Sequence, residues 1–258
     1  MNSIDCVYFS PTENSKKIVC AVATGMGTQV NDIDITLPFA RNKSYAFTSE
    51  STIILGVPVY AGRIPRFIAS FIKGLKGNEA KAVAIVTYGN RAYEDALLEL
   101  TDLLTAQGFK IIAAGAFVGE HSSTELLATN RPDADDLRIA LDFGKRINKN
   151  ADGLKVQVPG NFPYVQKENP LPPLAPETNS NCVQCKLCAK TCPTAAIDFD
   201  DCTITIAEKC IKCCSCVRKC PQKAKEFNHP GYKKMQEMLA INFSAQQKKP
   251  ELYFAEKQ

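Results

Sequence analysis

The chain has 258 residues, of which 45% are hydrophobic, enough for one moderate domain and a second small one. No apolar run approaches the roughly 20 residues that a membrane-spanning helix needs, so no membrane association is expected. The formal net charge is +4, but lysines and arginines are dispersed along the chain and no DNA- or RNA-binding motif occurs. Nucleic-acid binding is therefore not expected either.

Residues 1–150 alternate strand-like and helix-like segments, which is typical of an α/β fold with a parallel sheet. The expected strands are Ile4–Phe9, Val30–Ile35, Thr52–Val59, Ala82–Thr87 and Lys110–Val118. The expected helices are Ser15–Met26, Arg66–Leu75, Tyr93–Gln107 and Asp133–Asn148. Five strands in this rhythm predict a parallel sheet of order 2-1-3-4-5, in which ligands bind beyond the carboxyl ends of the strands.

The loop between the first strand and the first helix is rich in hydroxyl and amide side chains. It reads Ser10-Pro11-Thr12-Glu13-Asn14-Ser15. Such donors at a helix N-terminus suit a phosphate group, although helix capping by Ser or Thr would explain the same residues. The loop resembles the FMN-phosphate loop of flavodoxins, S/T-x-T-G-x-T, with Glu13 where glycine is usual. A carboxylate there either points to solvent or repels the phosphate.

Two further loops leave the same predicted edge, after the third and fourth strands. Gly62 allows close backbone approach, and Tyr60 offers an aromatic face in a chain without tryptophan. Ordinary glycine-rich turns with tyrosines on the surface would explain the same residues. The loops resemble the pair that holds the isoalloxazine ring in flavodoxins, which implies a flavodoxin-like domain that binds FMN. The implied FMN-binding residues are Ser10, Thr12, Glu13, Asn14, Ser15, Val59, Tyr60, Ala61, Gly62, Thr87, Tyr88, Gly89, Asn90 and Tyr93.

Residues 151–178 are predicted to form a proline-rich linker. Its prolines include Pro159, Pro163, Pro170, Pro172, Pro173 and Pro176. Because proline resists both helix and sheet, the segment is expected to be extended. It should therefore act as a semi-rigid strap that docks the C-terminal part on the first domain.

Eight of the twelve cysteines form two copies of one pattern, 28 residues apart. The copies are Cys182-x-x-Cys185-x-x-Cys188-x-x-x-Cys192-Pro193 and Cys210-x-x-Cys213-x-x-Cys216-x-x-x-Cys220-Pro221. Iron favours soft thiolates, and this spacing is typical of iron–sulfur sites. Structural zinc is an alternative, although its ligands usually come in two separated CxxC-type pairs. A disulfide framework is a second alternative. It fits poorly because no signal peptide is expected.

The repeated pattern resembles that of bacterial two-cluster ferredoxins, in which each cluster takes its last cysteine from the other run. The implied [4Fe–4S] ligands are Cys182, Cys185, Cys188 and Cys220 for one cluster, and Cys210, Cys213, Cys216 and Cys192 for the other. The implied ferredoxin domain, a small α+β unit, spans residues 179–228. Residues 229–258 are expected to form a helical tail, with a helix at Gly231–Ile241.

The whole chain resembles the flavodoxin–ferredoxin fusions called EFR1-type ferredoxins. This resemblance implies an electron-transfer protein that relays electrons between FMN and two [4Fe–4S] clusters, with a redox protein as donor or acceptor. One alternative is a flavin-dependent reductase of a small organic acceptor, with His121 or Tyr93 as proton donor; another is a ferredoxin with a flavin-free docking domain. No catalytic residue and no oligomeric state are predicted. Reduced cysteines without a targeting signal predict a cytoplasmic location.

Overall fold

The computed structural model describes residues 3–27, 29–147, 155–166 and 172–256. Its strands are β1 (Ile4–Tyr8), β2 (Val30–Asp34), β3 (Thr52–Pro58), β4 (Lys81–Tyr88), β5 (Lys110–Val118), β6 (Glu177–Thr178), β7 (Lys225–Glu226) and β8 (Glu251–Phe254). Its helices are α1 (Asn14–Met26), α2 (Pro38–Arg41), α3 (Arg66–Ile72), α4 (Ala96–Ala106), α5 (Ala134–Arg146), α6 (Leu187–Lys190), α7 (Ser215–Lys219) and α8 (Pro230–Phe243). A 3-10 turn spans Ala207–Lys209.

A mostly parallel sheet organises the N-terminal part, which confirms the predicted α/β class. The strands lie in the order β2-β1-β3-β4-β5-β8, and the pairs from β2 to β5 are parallel. Helices cover both faces: α1 and α5 pack over one hydrophobic core, and α3 and α4 over the other. Such a sheet buries β3 and β4 on both faces, which explains their nearly continuous apolar sequences.

The sixth strand, β8, departs from the predicted five-stranded sheet. It comes from the tail that was expected to be helical and pairs antiparallel with Ala113–Ala116 of β5. Leu252 and Phe254 pack on one core and Tyr253 on the other, as the alternation of a strand requires. The pairing covers the edge of β5, which would otherwise expose its hydrogen-bonding groups.

The predicted linker is described at residues 155–166 and 172–178; the first of these segments lies along α4, and the second ends in β6, which pairs with β7 instead of belonging to a linker. The buried carboxylate of Asp95 accepts hydrogen bonds from the backbone N–H groups of Asn161 (2.8 Å) and Val165 (2.7 Å). The Tyr164 hydroxyl donates to Asp102 of the same helix at 2.6 Å. Pro170, which belongs to the predicted linker, lies outside the described residues.

No helix in the described ranges is both long and apolar enough to cross a membrane.

Candidate cofactor sites

A cavity of about 420 Å³, part of it open to solvent, lies at the carboxyl ends of β1, β3, β4 and β5. We call it the strand-end cavity. The predicted FMN-binding residues that line it are Ser10, Thr12, Asn14, Ser15, Val59, Tyr60, Thr87, Tyr88 and Gly89. Lining residues that were not included in that prediction are Pro11, Pro58, Gly119, Glu120, His121 and Ser122. The three loops expected at this edge of the sheet therefore do meet.

The first loop is held in one shape by its own hydroxyl groups. Ser10 donates its backbone N–H to the Thr36 hydroxyl at 2.9 Å, and its own hydroxyl accepts from the backbone N–H of Lys16 at 3.0 Å. The hydroxyls of Ser15 and Thr87 are 2.6 Å apart and tie this loop to the end of β4. Hydrogen bonds within the protein thus fix the shape of the loop.

Three backbone donors at the start of α1 remain unused. The N–H groups of Thr12, Asn14 and Ser15 have no hydrogen-bond partner among residues 3–27, 29–147, 155–166 and 172–256. All three residues line the strand-end cavity. Unused N–H groups at the positive end of a helix suit a phosphate.

Glu13 stands in the left-handed region, with φ of 67°, at the place where the resemblance has glycine. This conformation costs an L-residue about 1–2 kcal/mol, which explains the usual glycine. The Glu13 carboxylate neither points freely to solvent nor lies unpaired beside the loop. It forms an ion pair with the Lys219 ammonium of α7, at 3.1 Å.

Ala61 and Gly62 do not line the strand-end cavity, although both were predicted to bind FMN. Gly62 has φ of 82°, and a Cβ there would lie 2.1 Å from the Glu94 carboxylate. Its missing side chain therefore makes room for Glu94. The prediction assumed that the glycine serves a ligand, and the structure gives it a neighbour within the protein.

Asn90 and Tyr93 are held by the C-terminal tail. The Asn90 amide donates to the carbonyls of Phe243 (2.7 Å) and Gln246 (2.8 Å). The Tyr93 hydroxyl donates to the Glu251 carboxylate at 2.6 Å. Neither residue lines the cavity, and both attach the tail to the loop after β4.

His121 closes one side of the cavity against Gly89. A Cβ at Gly89 would lie 2.3 Å from the His121 ring, so glycine is required at this contact. Burial, together with the charges of Arg218 and Arg91, lowers the pKa of His121 to about 4, so the imidazole is neutral at pH 7. The buried Tyr88 hydroxyl has no hydrogen-bond partner in the described part of the chain.

The two predicted sets of cluster cysteines each line a cavity of their own. Cys182, Cys185, Cys188 and Cys220 line one of about 340 Å³, which we call the first cysteine cavity. Cys192, Cys210, Cys213 and Cys216 line another of about 360 Å³, the second cysteine cavity. Within the described ranges, no three His, Cys, Asp or Glu side chains are gathered as a group that could hold a metal ion. Iron–sulfur ligation therefore stays a prediction.

The backbone repeats with the cysteines. Gln184, Lys186 and Ala195 have positive φ values of 54°, 62° and 49°. The residues 28 positions later, which are Lys212, Cys214 and Lys223, have values of 56°, 57° and 48°. Each such residue costs about 1–2 kcal/mol, and alternation of right- and left-handed residues turns backbone N–H groups towards a common point. Concavities of this kind bind phosphates and iron–sulfur clusters.

Hydrogen bonds to sulfur repeat in the same way. The N–H of Ala196 donates to the Cys192 sulfur, and that of Ala224 to the Cys220 sulfur, both at 3.2 Å. The buried Ser215 hydroxyl, which lines the second cysteine cavity, has no partner among the described residues. A cluster sulfur would supply the missing acceptor. The donor set therefore fits an iron–sulfur cluster.

Helix α7, which contains Cys216 and ends just before Cys220, attaches the cysteine runs to the strand-end loops. Arg218 donates to the carbonyls of His121 (2.6 Å) and Ser122 (3.0 Å) and pairs with the Glu120 carboxylate. The adjacent Lys219 pairs with Glu13, as described above. We call these contacts of Arg218 and Lys219 the basic clasp. No sequence pattern had indicated it.

Tyr60 of the strand-end cavity and Ile211 of the second cysteine cavity both line one further cavity beside α3. Burial raises the pKa of Tyr60 well above its ordinary value, and Cys213 and Cys214 as thiolates raise it further. Tyr60 and Ile211 therefore connect the two sites through this further cavity. Ile211 of the second run also packs on the core beneath α3 and α4.

Comparisons with known proteins gave structural likenesses alone. No protein-family model matches the chain, and no curated protein matches it. A flavodoxin from the domain Archaea is 14% identical over 55% of this chain and 94% of its own, with a TM-score of 0.41. An NADH:FMN oxidoreductase in its apo form is 19% identical over 58% and 91%, with a TM-score of 0.40. An azoreductase from Bacillus anthracis str. Sterne is 14% identical over 57% and 100%, with a TM-score of 0.38. With TM-scores below 0.5, the description of the fold depends on the strand order and pairing alone.

Replacing Arg218 should loosen the basic clasp. In Arg218→Gln, the partly buried Glu120 carboxylate loses its counter-charge, so the free energy of unfolding should fall by about 2 kcal/mol. Backbone amides at residues 120–122 should exchange hydrogen faster. Arg138→Gln on the exposed face of α5 is the matched control and should change stability by less than about 0.5 kcal/mol. Equal effects of the two replacements would contradict the clasp.

Proposed function

We propose that the chain is an electron-transfer protein that binds FMN in the strand-end cavity and a [4Fe–4S] cluster in each cysteine cavity. The strongest support is the way in which the eight cysteines are divided between the two cysteine cavities. The two crossed sets implied by the ferredoxin resemblance each line a separate cavity. A zinc site with one run per ion would instead bring together the four cysteines of the same run.

The residues suit these groups in charge and in shape. The free N–H groups of Thr12, Asn14 and Ser15 would hold the FMN phosphate, with the charge of Glu13 offset by Lys219. The flavin ring would lie by Tyr60, Tyr88 and Gly89, which line the rest of the cavity. When bound, FMN exchanges one or two electrons and each cluster exchanges one.

The flavin-free docking domain remains the second candidate, because the protein itself fills part of the expected ring site. Asn90 is bound to the tail, the space at Gly62 is taken by Glu94, and His121 packs on Gly89. In this reading the strand-end loops serve to hold α7. A reductase is less well supported, because Tyr93 bonds Glu251 outside the cavity and His121 is neutral at pH 7.

Chemical analysis of the anaerobically purified chain tests the proposal. We expect about eight iron atoms and eight acid-labile sulfides per chain, and about one released FMN. Stoichiometric zinc without sulfide would contradict the cluster assignment. Full iron and sulfide without flavin would select the docking-domain reading.

The crossed ligation predicts which cluster each fourth cysteine supports. Cys192→Ala should remove or convert the cluster of Cys210, Cys213 and Cys216, although Cys192 belongs to the first run. Cys220→Ala should do the same to the other cluster. Iron analysis and electron paramagnetic resonance would report each loss, with Cys20→Ala in α1 as a control that keeps both clusters. Loss of the cluster of its own run in either variant would contradict the crossing.

The Glu13–Lys219 pair predicts a dependence of FMN affinity on charge. In Lys219→Met, the uncompensated Glu13 carboxylate should repel the phosphate and weaken FMN binding several-fold at low salt. Adding Glu13→Gln to that chain should restore the affinity, as titration of the apoprotein with FMN would show. Lys17→Met, at an exposed lysine of α1, is the control. Unchanged affinity in Lys219→Met, or no recovery in the double variant, would contradict the role of the pair.

A further inference from the structure

Lys225 in β7 is a buried lysine with no carboxylate partner. It is 3% exposed, and its ammonium donates to the Cys202 carbonyl at 2.6 Å and to the Thr205 hydroxyl at 3.0 Å. Within the described ranges no carboxylate oxygen comes within ion-pair distance of it; the exposed Asp201 carboxylate, whose pKa is lowered by hydrogen bonds from Thr203 and Gln184 and also by the charge of Lys225, lies farther away. Burying an ammonium without an opposite charge is costly, so a negative group is expected nearby.

The first cysteine cavity is where that negative group would lie. Lys225 lines this cavity together with Cys182, Cys185, Cys188 and Cys220. A [4Fe–4S] cluster with four thiolates is an anion, so it would supply the counter-charge.

The two repeats differ at this position. Lys225 follows Cys220 by five residues, and the residue that follows Cys192 by five is Ile197. Ile197 is 6% exposed and lines the second cysteine cavity, as Lys225 lines the first. The backbone just before the two positions matches, with a left-handed residue two positions earlier and an N–H to sulfur bond one position earlier. Equivalent positions thus place a cation beside one cavity and a neutral side chain beside the other.

We propose, on the basis of the function proposed above, that Lys225 gives the cluster of Cys182, Cys185, Cys188 and Cys220 the higher reduction potential, so that a single electron in the module resides there. A nearby cation stabilises the reduced cluster, which carries one more negative charge. With both groups bound, transfer of one electron to the group at the first cysteine cavity would leave the group at the second cysteine cavity oxidised.

Two further features bear on this order of potentials. The Ser215 hydroxyl at the second cysteine cavity acts in the opposite direction, but a neutral dipole acts more weakly than a full charge in a buried site. Cys185 is exposed, whereas Cys213 is buried. The favoured electron position is thus the outward one, away from Tyr60, where a redox partner protein can reach it.

Redox titration of the cluster-loaded chain tests the inference. In Lys225→Met, the higher of the two midpoint potentials should become more negative, and the gap between the clusters should narrow. Lys234→Met, at an exposed lysine of α8, should leave both potentials unchanged. Lys225→Arg, which keeps the charge, should retain the wild-type order. The Cys220→Ala chain, which lacks the first cluster, identifies which titration step belongs to it.

The outcomes separate this inference from the proposed function. Wild-type protein without iron and sulfide would overturn both. Full cluster content with the same potentials in Lys225→Met and wild type would overturn the role of Lys225 alone. If Lys225→Met does not incorporate the clusters, the redox titration uses Lys225→Gln instead. Glutamine keeps a hydrogen-bond donor but has no charge. Loss of the first cluster alone in both neutral variants, with retention in Lys225→Arg, would support the same electrostatic role through cluster binding.

Discussion

The basic clasp fixes the position of the cysteine runs relative to the strand-end loops. Arg218 uses its guanidinium for one carboxylate and two carbonyls, and Lys219 holds Glu13 at the start of α1. Because α7 contains the predicted ligand Cys216 and leads directly into Cys220, these contacts act on both cysteine cavities. A shift of α7 would move both cavities relative to the loops.

The basic clasp also explains the conformation of Glu13 and the low pKa of His121. Glu13 adopts a conformation that favours glycine, and its carboxylate gains an ion pair with Lys219 in that position. The pKa of His121 is low partly because Arg218 lies beside it. These residues would serve the flavin site and the docking of the cysteine runs at once. A substitution at either site is therefore expected to change the structure of the other.

The two cysteine runs have matching backbone conformations, but the residues around their two cavities differ. The left-handed residues and the N–H to sulfur bonds occur at equivalent positions in both runs, so the two cysteine cavities have similar backbone walls. Tyr60 and Ile211 bring the second cavity against the first domain, whereas Cys185 of the first is exposed. Lys225 adds a difference in charge to this difference in position. Two similar sites can thus have unequal roles in one chain.

The sequence predicted best what depends on local pattern. Buried parallel strands such as β3 and β4 are nearly continuous apolar runs, and their bounds were predicted to within a residue or two. Strand β8 was missed because four residues carry too little pattern, and its register depends on the edge of β5. The partners of Asn90 and Glu13 lie more than 150 residues away, so no local pattern could reveal them.

The central claim, that the flavin site and the cysteine sites form one docked unit, is tested most directly by the kinetics of electron transfer within the loaded chain. Flavin bound to the protein would be photoreduced under anaerobic conditions, and bleaching of the iron–sulfur absorbance would be followed over a tenfold range of protein concentration. The docked arrangement predicts a first-order rate that does not depend on concentration. A rate that rises in proportion to protein concentration would contradict it.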